Sequence, residues 1–508
     1  MRASRTITIG ARASALSQIQ ARLVGDALLA HDPRLAVRYV FADAAGDLDL
    51  AAGLPALLRA GGFTDGLSQA LEASRIDLAV HSWKDLPFAG PRATRVAATL
   101  ERADPRDLLL LRRDRFAPGA RRGLRVLSCS ARRAANLREF LPWALPGGVG
   151  PVGFQPVRGD ILRRLRQLLQ GEADALVVAK AAIDRLLSAG SNAAVRAQVH
   201  SALAACRLMV LPLAANPAAP AQGALAIEVR RDRSDLAERL AAINHEPTFA
   251  RVLEERAQLA ATGEEDHPLG VSIVPVGRGP VATSAEAVFR RGSWRGARIE
   301  SAELRDREPP LPPPARRGAV WTGERAGALA WRRVALGSGT AQAGAGPTGL
   351  LVARDEALPD AWLAGAEPVV WTAGLATWRR LAARGVWVSG SDESLGETGA
   401  LAARHLFAQV GRWVKLTHEA GYDPPQAARV ATYRLERVRP LEDIGHHSHF
   451  FWRSGSQFRE YLRAHPRLRD AWHGCGPGNT LAIIRAQIGP ERVRAFLSAA
   501  HFRAALGA

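Results

Sequence analysis

The sequence predicts an α/β protein in which two α/β lobes follow one another, then a small α+β unit, and then a further α/β unit. Three observations lead there. Strand and helix patterns alternate through the first third of the chain, the same alternation recurs from about residue 105 to 205, and separate strands resume beyond a proline run at 309–314.

Thr6 to Gly10 reads as a strand, and Leu16, Ile19, Leu23, Ala27 and Leu28 follow at helical spacing. After the Asp32-Pro33 break, Leu35, Val37 and Tyr39 alternate as a second strand. A helical pattern covers Gly66 to Ser74, and Asp77 to His81 is a buried strand. In the recurrence, strands fall at Leu124 to Leu127, Pro151 to Val157 and Ala175 to Ala179, with helices at Ser130 to Phe140 and Asp160 to Leu169. Leu225 to Val229 is expected to return to the first lobe. Two such lobes imply a cleft between them, where α/β proteins bind ligands. The expected domains are 1–103 with 209–229, 104–208, 230–305, and 319–508, with 306–318 as a spacer too proline-rich to pack.

A length of 508 residues, 47% hydrophobic and 23% charged, is globular composition. No run of 18 apolar residues predicts a membrane span, and the N-terminus lacks secretory patterning, so a cytoplasmic protein is expected. The three cysteines, Cys129, Cys206 and Cys475, are too far apart for a disulfide framework or metal-ligand spacing. The net charge of +19 is carried almost wholly by arginine, the lysines being Lys84, Lys180 and Lys415. Solvated basic faces explain such a balance, and so does a polyanionic ligand. Nucleic acid is disfavoured, because the basic residues are spread along the chain without a zinc-finger spacing, a basic tail or an aromatic RNP-type motif.

The most specific string is Asp77-Leu78-Ala79-Val80-His81-Ser82-Trp83-Lys84-Asp85-Leu86-Pro87, a buried strand ending in polar groups. Alone, His81 reads as a hydrogen-bonded core histidine and Asp85 as a turn residue before Pro87. The whole string resembles the active-site signature of porphobilinogen deaminases (hydroxymethylbilane synthases). Further matches follow in order: Ile9-Gly10-Ala11-Arg12-Ala13-Ser14, Arg102-Ala103-Asp104-Pro105-Arg106-Asp107, Ser128-Cys129-Ser130-Ala131-Arg132-Arg133, Val157-Arg158-Gly159-Asp160-Ile161 with Arg164, Gln222-Gly223-Ala224, and Glu255-Arg256-Ala257. The resemblance covers about residues 5 to 303 and implies two periplasmic-binding-protein-like lobes plus a small third domain.

It also implies the chemistry. Porphobilinogen carries acetate and propionate groups, which guanidinium forks and helix N-termini bind well. By resemblance Asp85 and Lys84 are catalytic, Asp85 binding pyrrole N–H groups and offsetting developing positive charge. Arg12, Ser14, Ser82, Ser128, Ser130, Arg132, Arg133, Arg158 and Arg164 are the expected substrate-binding residues. The family holds a dipyrromethane cofactor through a cysteine shortly after the Glu-Arg-Ala element. Here Glu265 or Asp266 occupies that position, and a carboxylate cannot form the stable thioether. Cys129, in the other lobe, is a remote substitute. The family's glycine- and lysine-rich loop also departs, reading Arg59 to Gly66 without a lysine.

Beyond the prolines, Glu367 to Gly374 and His449 to Ser456 are strands running into small-residue turns, and Gly474 to Thr480 is a turn before a helix. Together they resemble uroporphyrinogen-III synthase, a two-lobed α/β fold. That resemblance implies Thr372, Ser454, Ser456 and Thr480 as ligand-binding positions. His446, His447 and His449 lack a carboxylate or cysteine at ligand spacing, so no metal is expected. The expected partners are porphobilinogen and linear tetrapyrrole, with no nucleic acid or membrane, and the expected state is a monomer. Two functions stay open: an enzyme whose primer is held without the usual thioether, or a deaminase-like scaffold binding linear tetrapyrrole for the C-terminal synthase. A basic nucleic-acid-binding protein is the distant third.

Overall fold

The computed structural model describes residues 6–42, 65–88, 93–115, 123–262, 268–277, 285–294, 297–306, 308–323, 331–336, 347–363, 367–396, 400, 403–424 and 427–507. The chain divides into two compact units. One comprises Met1–Pro142, Val149–Ile273 and Phe289–Glu300, and the other Trp143–Gly148, Val274–Val288 and Ser301–Ala508.

The first unit opens with β1 (Thr6–Arg12), α1 (Ala15–His31) and β2 (Ala36–Ala42). Ile7, Ile9 and Ala11 pack inward with Val24 and Leu28 of α1. Gly25 of α1 sits where a methyl group would overlap the Tyr39 phenol, so glycine lets the helix lie close against Tyr39 of β2. Next come α2 (Asp65–Glu72), β3 (Leu78–Ser82) and β4 (Thr94–Ala98). The second lobe holds β5 (Asp107–Arg112), β6 (Leu124–Leu127), α3 (Ala131–Ala144), β7 (Val152–Gln155), α4 (Ile161–Leu169), β8 (Ala175–Ala179), α5 (Lys180–Leu187), α6 (Ala193–Ala204) and β9 (Cys206–Val210). Then β10 (Leu225–Arg230) returns to the first sheet.

The sheet orders are β2-β1-β3-β10-β4 and β7-β6-β8-β5-β9. Each has three parallel strands followed by an antiparallel fourth: β10 runs against β3, and β5 against β8. In each sheet that fourth strand reaches its place by a crossing between the lobes. Leu108 to Leu111 of β5 and all of β8 are apolar without alternation and buried, as strands covered on both faces must be.

After β10 the chain forms α7 (Ser234–Ala241) and α8 (Glu246–Ala260), then the three-stranded sheet β11 (Gly270–Pro275), β12 (Glu286–Trp294) and β13 (Ala297–Arg305). One buried carboxylate gathers these parts. Glu255 of α8 accepts from both Arg102 Nη atoms at 2.7 and 2.9 Å, from the Ala221 N–H at 2.8 Å and from the Ile273 N–H at 2.6 Å.

In the second unit a four-stranded sheet is ordered β14-β21-β22-β23: β14 (Val320–Trp321), β21 (His449–Trp452), β22 (Trp472–Cys475) and β23 (Val493–Ala495). A six-stranded sheet is ordered β15-β20-β19-β16-β17-β18, from β15 (Trp331–Ala335), β16 (Thr348–Val352), β17 (Val369–Thr372), β18 (Val388–Ser391), β19 (Arg412–His418) and β20 (Ala428–Arg437). The chain therefore starts in the smaller sheet, crosses to the larger and returns. Among the described residues the α-helices are α9 (Leu375–Ala383), α10 (Gly455–Ala464), α11 (Asn479–Ile488) and α12 (Ala499–Ala505).

The proline run departs from the expected unpacked spacer. Leu311 is buried with Phe451, Ala499, Phe502 and Leu506. The run's backbone makes no regular ladder, which leaves its carbonyls open: Pro312 O lies 2.8 Å from His449 Nε2, and Pro309 O accepts from Arg494 Nε at 2.7 Å. His449 is thus a wall of this contact, while the His446 and His447 rings lie against each other with centroids 3.9 Å apart.

Replacing Glu255 with Ala would leave a buried guanidinium and two buried N–H groups without their acceptor. A loss of about 3–5 kcal/mol is expected, read as a lower urea midpoint, with Glu255→Gln losing less.

Candidate active site

A cleft of about 390 Å³ opens in the first unit at the carboxyl ends of the parallel strands of both its sheets. Of the residues singled out by sequence, Arg12, Ser14, Ser82, Lys84, Asp85, Ser130, Arg132, Arg133, Arg158 and Arg164 all line it. Ser128 is buried beside the cleft, its Oγ accepting from the Ser130 N–H at 3.3 Å. Glu265 and Asp266 lie outside the described residues, as does most of the Arg59 to Gly66 loop.

The serines owe their places to helix starts. Ser14 caps α1, its Oγ accepting from the Ser17 N–H at 3.3 Å, and Ser130 accepts from the Arg133 N–H at 3.4 Å. Ser82, at the end of β3, is fixed by buried Gln20, whose Nε2 donates to its Oγ at 2.9 Å. His81, one residue earlier, is buried with Nε2 3.1 Å from Glu228 Oε2. Burial opposes charge on Glu228, yet bonds from His81 and Thr94 hold its carboxyl below the usual range.

The single helical turn Trp83–Asp85 after β3 presents Lys84 and Asp85 to the cleft. Lys84 Nζ donates to Gln222 Oε1 at 3.2 Å. Desolvation lowers its pKa to about 8, with the Arg133 and Arg132 charges adding to the effect and Asp85 and Asp107 opposing it. Asp85 has no hydrogen-bond or ion-pair partner among the described residues.

The arginines divide into two groups. Arg132 and Arg133 reach the cleft wall with their forks already engaged. Arg133 Nε and Nη2 donate to Asp107 at 3.0 and 2.6 Å, and Arg132 Nη2 donates to Asp107 at 2.9 Å. Asn216 Nδ2 and Gln222 Nε2 complete the shell of that buried carboxylate, at 2.9 and 2.8 Å. Burial works against ionisation of Asp107, but the Arg133 and Arg132 charges outweigh it and hold the carboxyl far below its ordinary pKa. The second group is differently placed. Arg158 makes no bond to any described residue, and Arg164 uses only Nε, toward Gly159 O at 2.8 Å. Both are open to an anionic ligand.

Sequence reading missed Asp107, Gln222, Gln20 and the Arg102–Glu255 pair as organising groups. Three of them sat inside quoted motifs, but nothing local marks a carboxylate whose partners lie up to 115 residues away.

Of the cysteines, Cys129 lines the cleft and Cys206 is buried, its thiol pushed up to about 12 by desolvation. In the second unit Thr372 is buried at the end of β17, Ser454 caps α10 by accepting from the Gln457 N–H at 3.2 Å, Ser456 Oγ lies 3.2 Å from Ser454 Oγ, and Thr480 stands in the first turn of α11. Gly478, at φ +151°, passes close to Gly396, so the turn before α11 meets the segment after β18. Among the described residues no helix is long and apolar enough to cross a membrane.

Fold and site together define a two-lobed α/β protein with a cationic cleft, one unpaired carboxylate at its centre and a lysine beside it. Residues 7–238 match the family model described as porphobilinogen deaminase, dipyromethane cofactor binding domain. The chain is 34% identical to the porphobilinogen deaminase of Roseiflexus sp. (strain RS-1), over 54% of this chain and 80% of that one. It is 35% identical to that of Chromobacterium violaceum (56% and 82%) and 39% identical to that of Mycobacterium avium (50% and 72%). Among solved structures, the aliphatic sulphonate binding protein SsuA of Escherichia coli is similar at 15% identity and a TM-score of 0.27, over 51% of this chain and 77% of that one. The chain belongs to the porphobilinogen deaminase family.

Lys84 binds fewer protons folded than unfolded between its shifted pKa, about 8, and the ordinary lysine value of 10.5, so its contribution makes stability rise with pH across that window. Urea titrations at several pH values across it should show a shallower rise for Lys84→Met than for the parent chain.

Proposed function

We propose that the first unit acts in tetrapyrrole biosynthesis as a hydroxymethylbilane synthase, a transferase joining porphobilinogen units with release of ammonia. The observation that carries this reading is the unpaired Asp85 carboxylate beside Lys84 in a cleft where Arg158 and Arg164 are open to anions. Porphobilinogen offers the complement: two carboxylates, a pyrrole N–H and an aminomethyl group.

In this reading the Asp85 carboxylate accepts the pyrrole N–H and offsets the positive charge that grows as ammonia departs. Its lack of a protein partner supports that role, because no existing bond must break first. Arg158, Arg164 and Arg12 bind the substrate carboxylates, with Ser14, Ser82, Ser128 and Ser130 on or beside the same wall. Arg132 and Arg133, tied to Asp107, contribute fixed positive charge more than free donors. Protonated Lys84 binds a carboxylate, and this attraction fades as pH rises through about 8.

The donor set fits the acidic side chains of a dipyrromethane. Arg158 and the unshared Nη atoms of Arg164 would hold them, and Asp85 would accept the pyrrole N–H groups. When bound, that group supplies the pyrrole carbon to which the next ring is joined. The family's anchoring position carries Glu265 or Asp266, and no cysteine lies between Cys206 and Cys475.

For the second unit we propose a uroporphyrinogen-III synthase-like lyase, the two units forming a fusion that works in the cytoplasm as a monomer. Support comes from its two α/β sheets joined by a double crossing, and from turns at strand ends carrying Thr372, Ser454, Ser456 and Thr480. The missing anchor favours a second reading, in which the first unit binds linear tetrapyrrole without making it and serves the synthase.

Purified protein given porphobilinogen should consume it and yield porphyrin after oxidation, and Asp85→Asn should slow this by about 100-fold or more. Unchanged porphobilinogen, with supplied hydroxymethylbilane still cyclised, would establish the scaffold reading instead.

A further inference from the structure

A carboxylate that bonds no other side chain is only as well placed as its backbone, and Asp85 is such a carboxylate. Its turn, Trp83–Asp85, closes with the Leu86 N–H donating to Trp83 O at 3.2 Å, and Pro87 has no N–H to add. Further hold on the turn comes from α8. Arg256 Nη1 donates to Trp83 O at 3.2 Å and to Leu86 O at 3.0 Å, and its Nη2 donates to Pro87 O at 2.7 Å. The guanidinium carbon also lies 4.7 Å from the centre of the Phe88 ring. Carbonyls on both sides of Lys84 and Asp85 thus meet one planar fork, whose fixed geometry sets their spacing as a point charge would not.

Arg256 belongs to a continuous face of α8. One and two turns earlier, Val252 and Phe249 pack in the cluster around buried Trp83, the Phe249 and Trp83 ring centroids being 5.1 Å apart. Three residues later, Leu259 belongs to the cluster against which Phe88 packs. Glu255, the preceding residue, turns the other way to bind Arg102 and the Ala221 N–H. We propose that Arg256 is a positioning residue, whose grip on the Trp83–Phe88 segment sets where Asp85 and Lys84 stand in the cleft. This rests on the first unit acting as argued above, with Asp85 offsetting the charge that develops. Arg256 lines the cleft too, but it acts through the turn's backbone and not on the substrate.

The test combines steady-state kinetics on porphobilinogen with NMR of the full chain labelled at lysine Cε. Three lysines give three signals, and Lys180 and Lys415 serve as internal controls of the fold. In Arg256→Gln, kcat should fall about 100-fold with KM within about threefold, the cost of an Asp85 displaced by about 1 Å. The Lys84 signal, titrating near 8 in the parent chain, should move toward 10.5 as the loosened turn admits water, while Lys180 and Lys415 keep their shifts. Arg256→Lys keeps the charge and not the fork, and should fall between the two in both readouts. It carries the test alone if Arg256→Gln does not fold. A Lys84 titration unmoved in a folded variant overturns the proposal, because the turn has then not shifted. A raised KM with kcat intact overturns it as well, since it would make Arg256 a substrate ligand. A parent chain that leaves porphobilinogen unchanged overturns the reading of the first unit as a synthase, and the Lys84 titration still decides whether Arg256 places the turn.

Discussion

The buried carboxylate of Asp107 is the constraint on which the rest of the first unit depends. It begins β5, the strand on which the chain enters the second lobe, and five donor contacts converge on it from Arg132, Arg133, Asn216 and Gln222. Two buried guanidiniums would be untenable in a protein interior without a compensating charge, and Asp107 would be untenable without them. The set is therefore interdependent. Gln222 extends it: its Nε2 must donate to Asp107 and to Pro105 O, which orients its Oε1 toward Lys84. The position of a cleft lysine is thus traceable to a carboxylate in the core of the other lobe.

That arrangement explains what could be read from sequence. Continuous apolar strands such as Ala175 to Ala179 announce themselves, because burial on both faces leaves no room for alternation. The run from Asp77 to Pro87 was legible for a related reason, since polar groups at the end of a buried strand have little structural use. The Asp107 shell was not legible, because its members are strangers in sequence. Serines before helices were only half legible. Ser14, Ser130 and Ser454 satisfy helix N–H groups and also face open turns, and the residue type alone does not say which task matters. The proline run was misread because spacing arguments weigh prolines and overlook the one leucine among them. Leu311 supplies the apolar contact that turns a spacer into a strap on the second unit.

The cleft is built by contrast between satisfied and unsatisfied groups. Several of the ionised side chains that line it have protein partners: Arg132 and Arg133 with Asp107, Arg185 with Gly223 O, and Arg256 with the Trp83, Leu86 and Pro87 carbonyls. Against that background Asp85 and Arg158 stand out. Folding has fixed their positions without giving them bonds, a cost of a few kcal/mol when such groups are partly desolvated, and one that a ligand of matching charge removes. The same contrast separates Cys129 from Cys206, similar thiols in the same lobe placed respectively on the wall of the cleft and in the core.

The scarcity of lysine has a chemical consequence. Lys180 is buried against two aspartates, and Lys415 is buried on β19 with its ammonium over the Tyr422 ring. Lys84 sits inside the cleft, and every other basic side chain apart from histidine is a guanidinium. The exterior of this protein therefore offers acylating agents no lysine amine. A reagent small and acidic enough to enter the cleft would find one, already inclined to shed its proton near neutrality, so that modification would report occupancy of the cleft.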